Sequence, residues 1–138
     1  EQTVRAIKEQ GGLVCIPHPF DRWRRAALDR ESLYAIAGEI DIIEVYNGRN
    51  MFGSDNNRAK RFAEKHDMPM VVGSDAHTAG EIGTCHVIMH NFTDAREFLA
   101  NLAEACLVCR RSPAVVNFRT AFHKLWKSLA GSGGKPML

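Results

Sequence analysis

The sequence predicts an α/β fold with parallel strands, and three observations carry that reading. Short apolar-rich segments at residues 13–16, 41–46 and 70–73 alternate with helical patterns, which is the rhythm of βαβ units. The loops between them are short. Each apolar run is bordered by polar, Gly or Pro residues that stop it, as strands buried on both faces require.

The elements follow in order. Val4 and Ile7 begin a helical pattern that stops at Gly11-Gly12, the usual C-terminal punctuation. Leu13, Val14, Cys15 and Ile16 then read as a strand buried on both faces. It ends at Pro17-His18-Pro19, which cannot continue an inner strand. Residues 29–37 read as a helix with Leu28, Leu33, Ile36 and Ala37 on one side. Ile42, Ile43 and Val45 mark a second buried strand, closed by Asn47-Gly48. Ser54 or Asp55 caps a third helix running to about His66, with Ala59, Phe62 and Ala63 as its apolar stripe. Met70, Val71 and Val72 form the third strand. Residues 84–89 read as a strand, Thr93-Asp94 as a helix cap, and Leu107-Val108 as a short strand. Pro113 opens a last helix striped by Val115, Phe118, Phe122, Leu125, Trp126 and Leu129, and residues 131–138 read as a flexible tail.

The 138 residues are 45% apolar and 25% charged, a balance that excludes a disordered chain. No apolar run has the length of a membrane span, and the first ten residues resemble no signal peptide. Cys15, Cys85, Cys106 and Cys109 are too few for a disulfide scaffold. A cytoplasmic location is therefore expected. All 16 acids lie within residues 1–109, whereas Arg110, Arg111, Arg119, Lys124, Lys127 and Lys135 have no acid among them. That basic segment reads as a solvated face or, as the minority alternative, a guide for an oligonucleotide. The chain opens on Glu1 without an initiator methionine, as a piece of something longer would.

Ligands of parallel α/β sheets and barrels bind beyond the carboxyl ends of the strands. Three such ends carry polar residues here: His18 with Asp21 and Arg22, Tyr46-Asn47 with Arg49, and Ser74-Asp75 with His77. In Asp75-Ala76-His77, extended backbone turns the two outer side chains to one side. A carboxylate with imidazoles suits Zn, Mn or Fe, and His18 on a neighbouring strand end would supply a further nitrogen. A plain structural reading stands beside it, with Asp75 capping a turn and His18 filling a polar corner.

Gly11 through Arg22 (GGLVCIPHPFDR) resembles the third motif of the polymerase and histidinol phosphatase (PHP) family of metal-dependent phosphoesterases. Gly73 through Thr78 (GSDAHT), followed by Glu81-Ile82-Gly83, resembles that family's last motif. Residues 41–48 and 57–63 fall between them as the family's corresponding strand and helix do. The resemblance covers residues 1 to about 127. It implies the C-terminal half of an irregular (β/α) barrel: residues 1–90 as a partial barrel, 91–130 as a C-terminal α/β extension, and 131–138 as the tail. It also implies that His18, Asp75 and His77 bind metal, with two or three Mn, Zn or Fe ions in the complete site, and that metal-activated water hydrolyses a phosphoester. The family's first motif, a His-x-His, occurs nowhere in this chain. The chain is thus expected to be inactive alone and to need the missing N-terminal half or a partner chain, which would also cover the sheet edges.

Arg22, and less strongly Arg49, are candidates for gripping a substrate phosphate. Arg24 and Arg25 read as solvated. Glu44 and Glu81 are candidates for supporting the ligand-bearing loops; the alternatives are a buried Glu44–Arg pair and a Glu81 that only favours a turn. His66, His86, His90 and His123 follow no ligand spacing. Cys106 and Cys109 are formally C-x-x-C, but residues three apart in a strand face opposite sides, so reduced thiols are expected. The leading expectation is a hydrolase of a phosphomonoester, nucleotide or short oligonucleotide, its partner a phosphorylated small molecule, a nucleotide or short single-stranded nucleic acid. The alternatives are a non-catalytic PHP-like binding or assembly module, and a nuclease-like accessory domain of a DNA-processing protein.

Overall fold

The computed structural model describes residues 2–24 and 28–110. Arg25, the helix expected from Pro113 with its apolar stripe, His123, the bases beyond Arg110 and the tail lie outside the described residues.

Helix α1 (Gln2–Glu9) buries Val4 and ends at the expected glycines. Gly11 adopts φ +71°, and its N–H reaches the Lys8 carbonyl while that of Gly12 reaches Ile7. This Schellman pairing satisfies the last carbonyls of the helix. Strand β1 (Cys15–Ile16) pairs in parallel with β2 (Ile42–Asn47), and β2 pairs in parallel with β3 (Met70–Gly73). The order β1-β2-β3 follows the sequence, as successive βαβ units require. Among the described residues this parallel sheet has three strands and does not close.

The expectation of a doubly buried first strand needs correction. β1 is two residues long on the sheet edge, and Cys15 is exposed. Pro17 has no N–H to offer a ladder and restricts Ile16 before it. The central strand β2 meets the expectation instead: Ile42, Ile43 and Val45 are all buried, Ile43 completely.

Helix α2 (Arg30–Ala35) is capped by Asp29, whose carboxylate accepts from the Ser32 amide and hydroxyl. Leu33 and Ile36 enter the core, while Leu28, ahead of the cap and out of helical phase, is exposed. Helix α3 (Gly53–Lys65) has Phe52 rather than Ser54 or Asp55 at its N-cap, with no side-chain cap bond. Asp55 lies inside the first turn, where a carboxylate faces the positive end of the helix dipole. The stripe of Ala59, Phe62 and Ala63 is buried as expected, with Phe62 edge-on to Phe20 and Tyr34. Strands β4 (Cys85–Ile88) and β5 (Cys106–Cys109) form an antiparallel pair around α4 (Ala95–Leu102), which Asp94 caps. Among the described residues no helix is long and apolar enough to cross a membrane.

Candidate functional site

The carboxyl ends of β1, β2 and β3 lie side by side, and one carboxylate ties them together. In β2 the register passes from Glu44↔Val71 to Tyr46↔Val72, so Val45 is an extra residue, a β-bulge. Residues three apart in a regular strand face opposite sides. The bulge re-aims the chain, so that the Asn47 side-chain amide donates to Glu44 Oε2 at 3.1 Å. The same oxygen accepts from the backbone N–H of His18 at 2.6 Å, across to the end of β1. On the other flank, a Cβ added to Gly73 would overlap Glu44 Oε1. Glycine at the end of β3 is what lets this carboxylate sit there.

His18 leaves β1 with φ +33°, a conformation uncommon for a side-chain-bearing residue. Its Nδ1 is buried without a hydrogen-bond partner. Burial and the nearby Arg24 charge push the imidazole below its ordinary pKa, against the opposing pull of Glu44 and Asp21. A neutral imidazole with an unshared ring nitrogen is the form that binds a metal.

Asp75 and His77 do meet, with Asp75 Oδ1 3.5 Å from His77 Nε2. They do not meet by strand alternation, because β3 ends at Gly73 and Asp75 turns the chain with φ +51°. Aspartate tolerates this conformation better than most residues. The reading of Arg24 as solvated is also corrected. Its guanidinium pairs with Asp21 at 3.2 Å and with Asp75, and only 30% of the side chain is exposed. Arg24 therefore links the loop after β1 to the loop after β3.

The two other arginines serve carboxylates on the flanks. Arg22 clasps the buried Asp55 through Nε and Nη2, the latter at 2.6 Å, donates to Ser54, and lies over the Phe52 ring. Half of its side chain remains exposed. Arg49 Nη1 donates to both oxygens of Glu81 at 3.1 Å in an almost buried pair. Glu81 Oε2 also accepts from the amides of His77 and Thr78 and from the Thr78 hydroxyl. It thereby braces the loop that carries Asp75 and His77. Among the described residues Glu44 pairs with no arginine; its partners are an amide and an asparagine.

His18, Glu44, Arg24, Asp75 and His77 are thus linked around the strand ends, with Arg22–Asp55 and Arg49–Glu81 on the flanks. Among the described residues no three His, Cys, Asp or Glu side chains form a group able to hold a metal ion. Arg24, Asp55 and Asn56 were not legible as site-building residues, whereas Asn47 was singled out only as a polar residue at a strand end. Asn56 accepts from the Asn47 amide and the Asn50 side chain, a buried network signalled only by clustered asparagines.

Residues 53–106 match the family model described as PHP-associated. The crystal structure of "a putative metal-dependent phosphoesterase" from Bifidobacterium adolescentis aligns with 74% of this chain at 28% identity and a TM-score of 0.50, covering 35% of that protein. Over these residues the chain is similar to a C-terminal portion of a PHP-family protein. Two uncharacterized proteins of Methanocaldococcus jannaschii are similar. MJ0417 is 36% identical over 89 residues, 62% of this chain and 38% of that protein. MJ1587 is 39% identical over 59 residues, 43% of this chain and 32% of that protein. The chain spans about a third of the length of these proteins.

Proposed function

We propose that this chain contributes the closing ligands of a PHP-type phosphoesterase site that hydrolyses a phosphomonoester, nucleotide or short oligonucleotide. The observation that carries this reading is the placement of His18 beyond β1 and of the Asp75–His77 pair beyond β3, on the same end of one parallel sheet, with Glu44 holding the His18 backbone and Glu81 that of His77. By type, though not as a preformed group among the described residues, the donors suit a divalent cation such as Zn, Mn or Fe: two imidazoles, one with a buried unpartnered nitrogen, and a carboxylate. Bound there, the cations supply a water of lowered pKa and charge to offset the phosphoryl oxygens. His18 offers a neutral ring nitrogen, Asp75 and His77 complete this chain's share, and Arg24 neutralises Asp75 until a cation takes that role. Arg22, half exposed, faces substrate phosphate; Arg49, enclosed by Glu81, acts by bracing the His77 loop.

The remaining ligands, in this reading, come from the part of the PHP fold that this chain does not match, which also completes the barrel around residues 1–90. A cytoplasmic, reducing setting belongs to the same reading. The test is hydrolysis of a chromogenic phosphomonoester and of a short oligonucleotide by the full-length protein with added Mn²⁺. Asp75→Ala is expected to lower turnover at least 100-fold (roughly the scale of losing a charge-stabilising group). Unchanged turnover in that variant overturns the proposal.

A further inference from the structure

The site leaves unused a second constellation, on the β4–β5 pair. Cys85 and Cys109 are register partners on the two antiparallel strands. The next pair along is Thr84 and Arg110, where the Arg110 N–H donates to the Thr84 carbonyl at 2.8 Å. Hydrogen-bonded and non-hydrogen-bonded pairs alternate along an antiparallel ladder. Cys85 and Cys109 therefore occupy a non-hydrogen-bonded pair, the closer kind, with Cα atoms about 4.5 Å apart and side chains on one face. That spacing lies within the range a disulfide spans.

The two thiols differ in access. Cys85 is buried, with its Sγ against Gly48, where an added Cβ would stand 3.1 Å away. Cys109 is exposed. As register partners in such a pair the two sulfurs lie within each other's reach, and partial burial beside Cys85 pushes the Cys109 thiol up to about 11. Cys106, on the same strand, has Ile88 rather than a cysteine opposite it.

We propose that Cys85 and Cys109 are a reversible disulfide-forming pair, oxidised by a small-molecule disulfide such as glutathione disulfide. The exposed Cys109 gives up its proton and its thiolate attacks one sulfur of the oxidant. The oxidant's S–S bond breaks, and the departing thiolate takes up the proton. Cys85, likewise deprotonated, then attacks the Cys109 sulfur of the mixed disulfide and displaces the second small thiol. Two protein thiols are oxidised and one disulfide is reduced to two thiols. The high Cys109 pKa makes the first step slow at neutral pH, since the thiolate is the nucleophile.

The experiment is equilibration of the full-length protein in reduced and oxidised glutathione at several ratios at pH 8.5. Acid quenching, alkylation and peptide mapping without reductant follow. The expected product under oxidising ratios is a Cys85–Cys109 linked peptide that dithiothreitol removes. It should persist in Cys106→Ser and vanish in Cys109→Ser, an exposed and structurally mild change. Free Cys85 and Cys109 at the most oxidising ratio, or a linkage through Cys106 instead, overturns the proposal.

Discussion

The Glu44 carboxylate receives the backbone N–H of His18 at 2.6 Å, joining the middle of one parallel strand to the residue that leaves its neighbour. A buried carboxylate accepting an amide is a strong, charge-assisted bond. It holds His18 in a backbone conformation that few residues adopt, with the ring nitrogen inward. The position of Gly73 follows from the same carboxylate.

Gly73→Ala places a methyl group against Glu44 Oε1. Overpacking of this kind costs about 1–3 kcal/mol, to be read by urea denaturation. In a Glu44→Ala background the same change should cost much less, so the double-mutant cycle isolates the contact. Equal cost in both backgrounds would show that Gly73 is required for another reason.

Arg49→Ala leaves Glu81 charged and buried beneath the His77 loop. Loss of one partner of a buried pair costs about 3 kcal/mol. Burial alone raises the Glu81 pKa, but the amides of His77 and Thr78, the Thr78 hydroxyl and the Arg49 charge outweigh it and hold the group below its ordinary value. A depressed acid stabilises the fold fully above its unfolded pKa of roughly 4.3. That contribution is lost as pH falls through the lower, folded value. Acid unfolding followed by circular dichroism should therefore begin at higher pH in Arg49→Ala than in the wild type. Coincident acid transitions would contradict this.

Arg24→Ala removes a positive charge that holds the His18 imidazole down. The His18 pKa, followed by NMR titration of the ring protons, is expected to rise, and the Asp75–His77 loop to lose its tie to Asp21. An unmoved His18 titration would show that Arg24 does not influence the site.

Cys15 is exposed as a residue, but partial desolvation of its thiol and the Glu44 charge push that thiol up to about 11. At pH 8 only about 0.1% is thiolate, so alkylation of Cys15 should accelerate about tenfold per pH unit up to pH 10. Glu44→Gln should quicken it by removing a like charge. A rate already levelling at pH 9, or indifferent to Glu44→Gln, would contradict the placement of that carboxylate beside Cys15.

The parallel strands, the apolar stripe of α3 and the position of His18, Asp75 and His77 just beyond strand ends were legible because apolar periodicity and position along a βαβ chain determine them. What was not legible depended on irregular backbone. The bulge at Val45 brings Glu44 to Asn47 against the alternation of a strand. The positive φ of Asp75 brings it to His77 by a turn rather than by extension. The partners of Arg22, Arg24 and Arg49 were hidden because ion pairs between residues 32 or more positions apart, or across loops, leave no periodic trace. The edge position of β1 was concealed for a related reason: an apolar run does not say how many neighbours it has.

The most direct test of the central claim is the metal content of the full-length protein, measured by inductively coupled plasma mass spectrometry after Mn²⁺ or Zn²⁺ loading and dialysis. His18→Ala, Asp75→Ala and His77→Ala should each lower the ions retained per chain, whereas Lys60→Ala, an exposed surface change, should not. Full metal retention in all three ligand variants would contradict the assignment of these strand ends as part of a PHP-type metal centre.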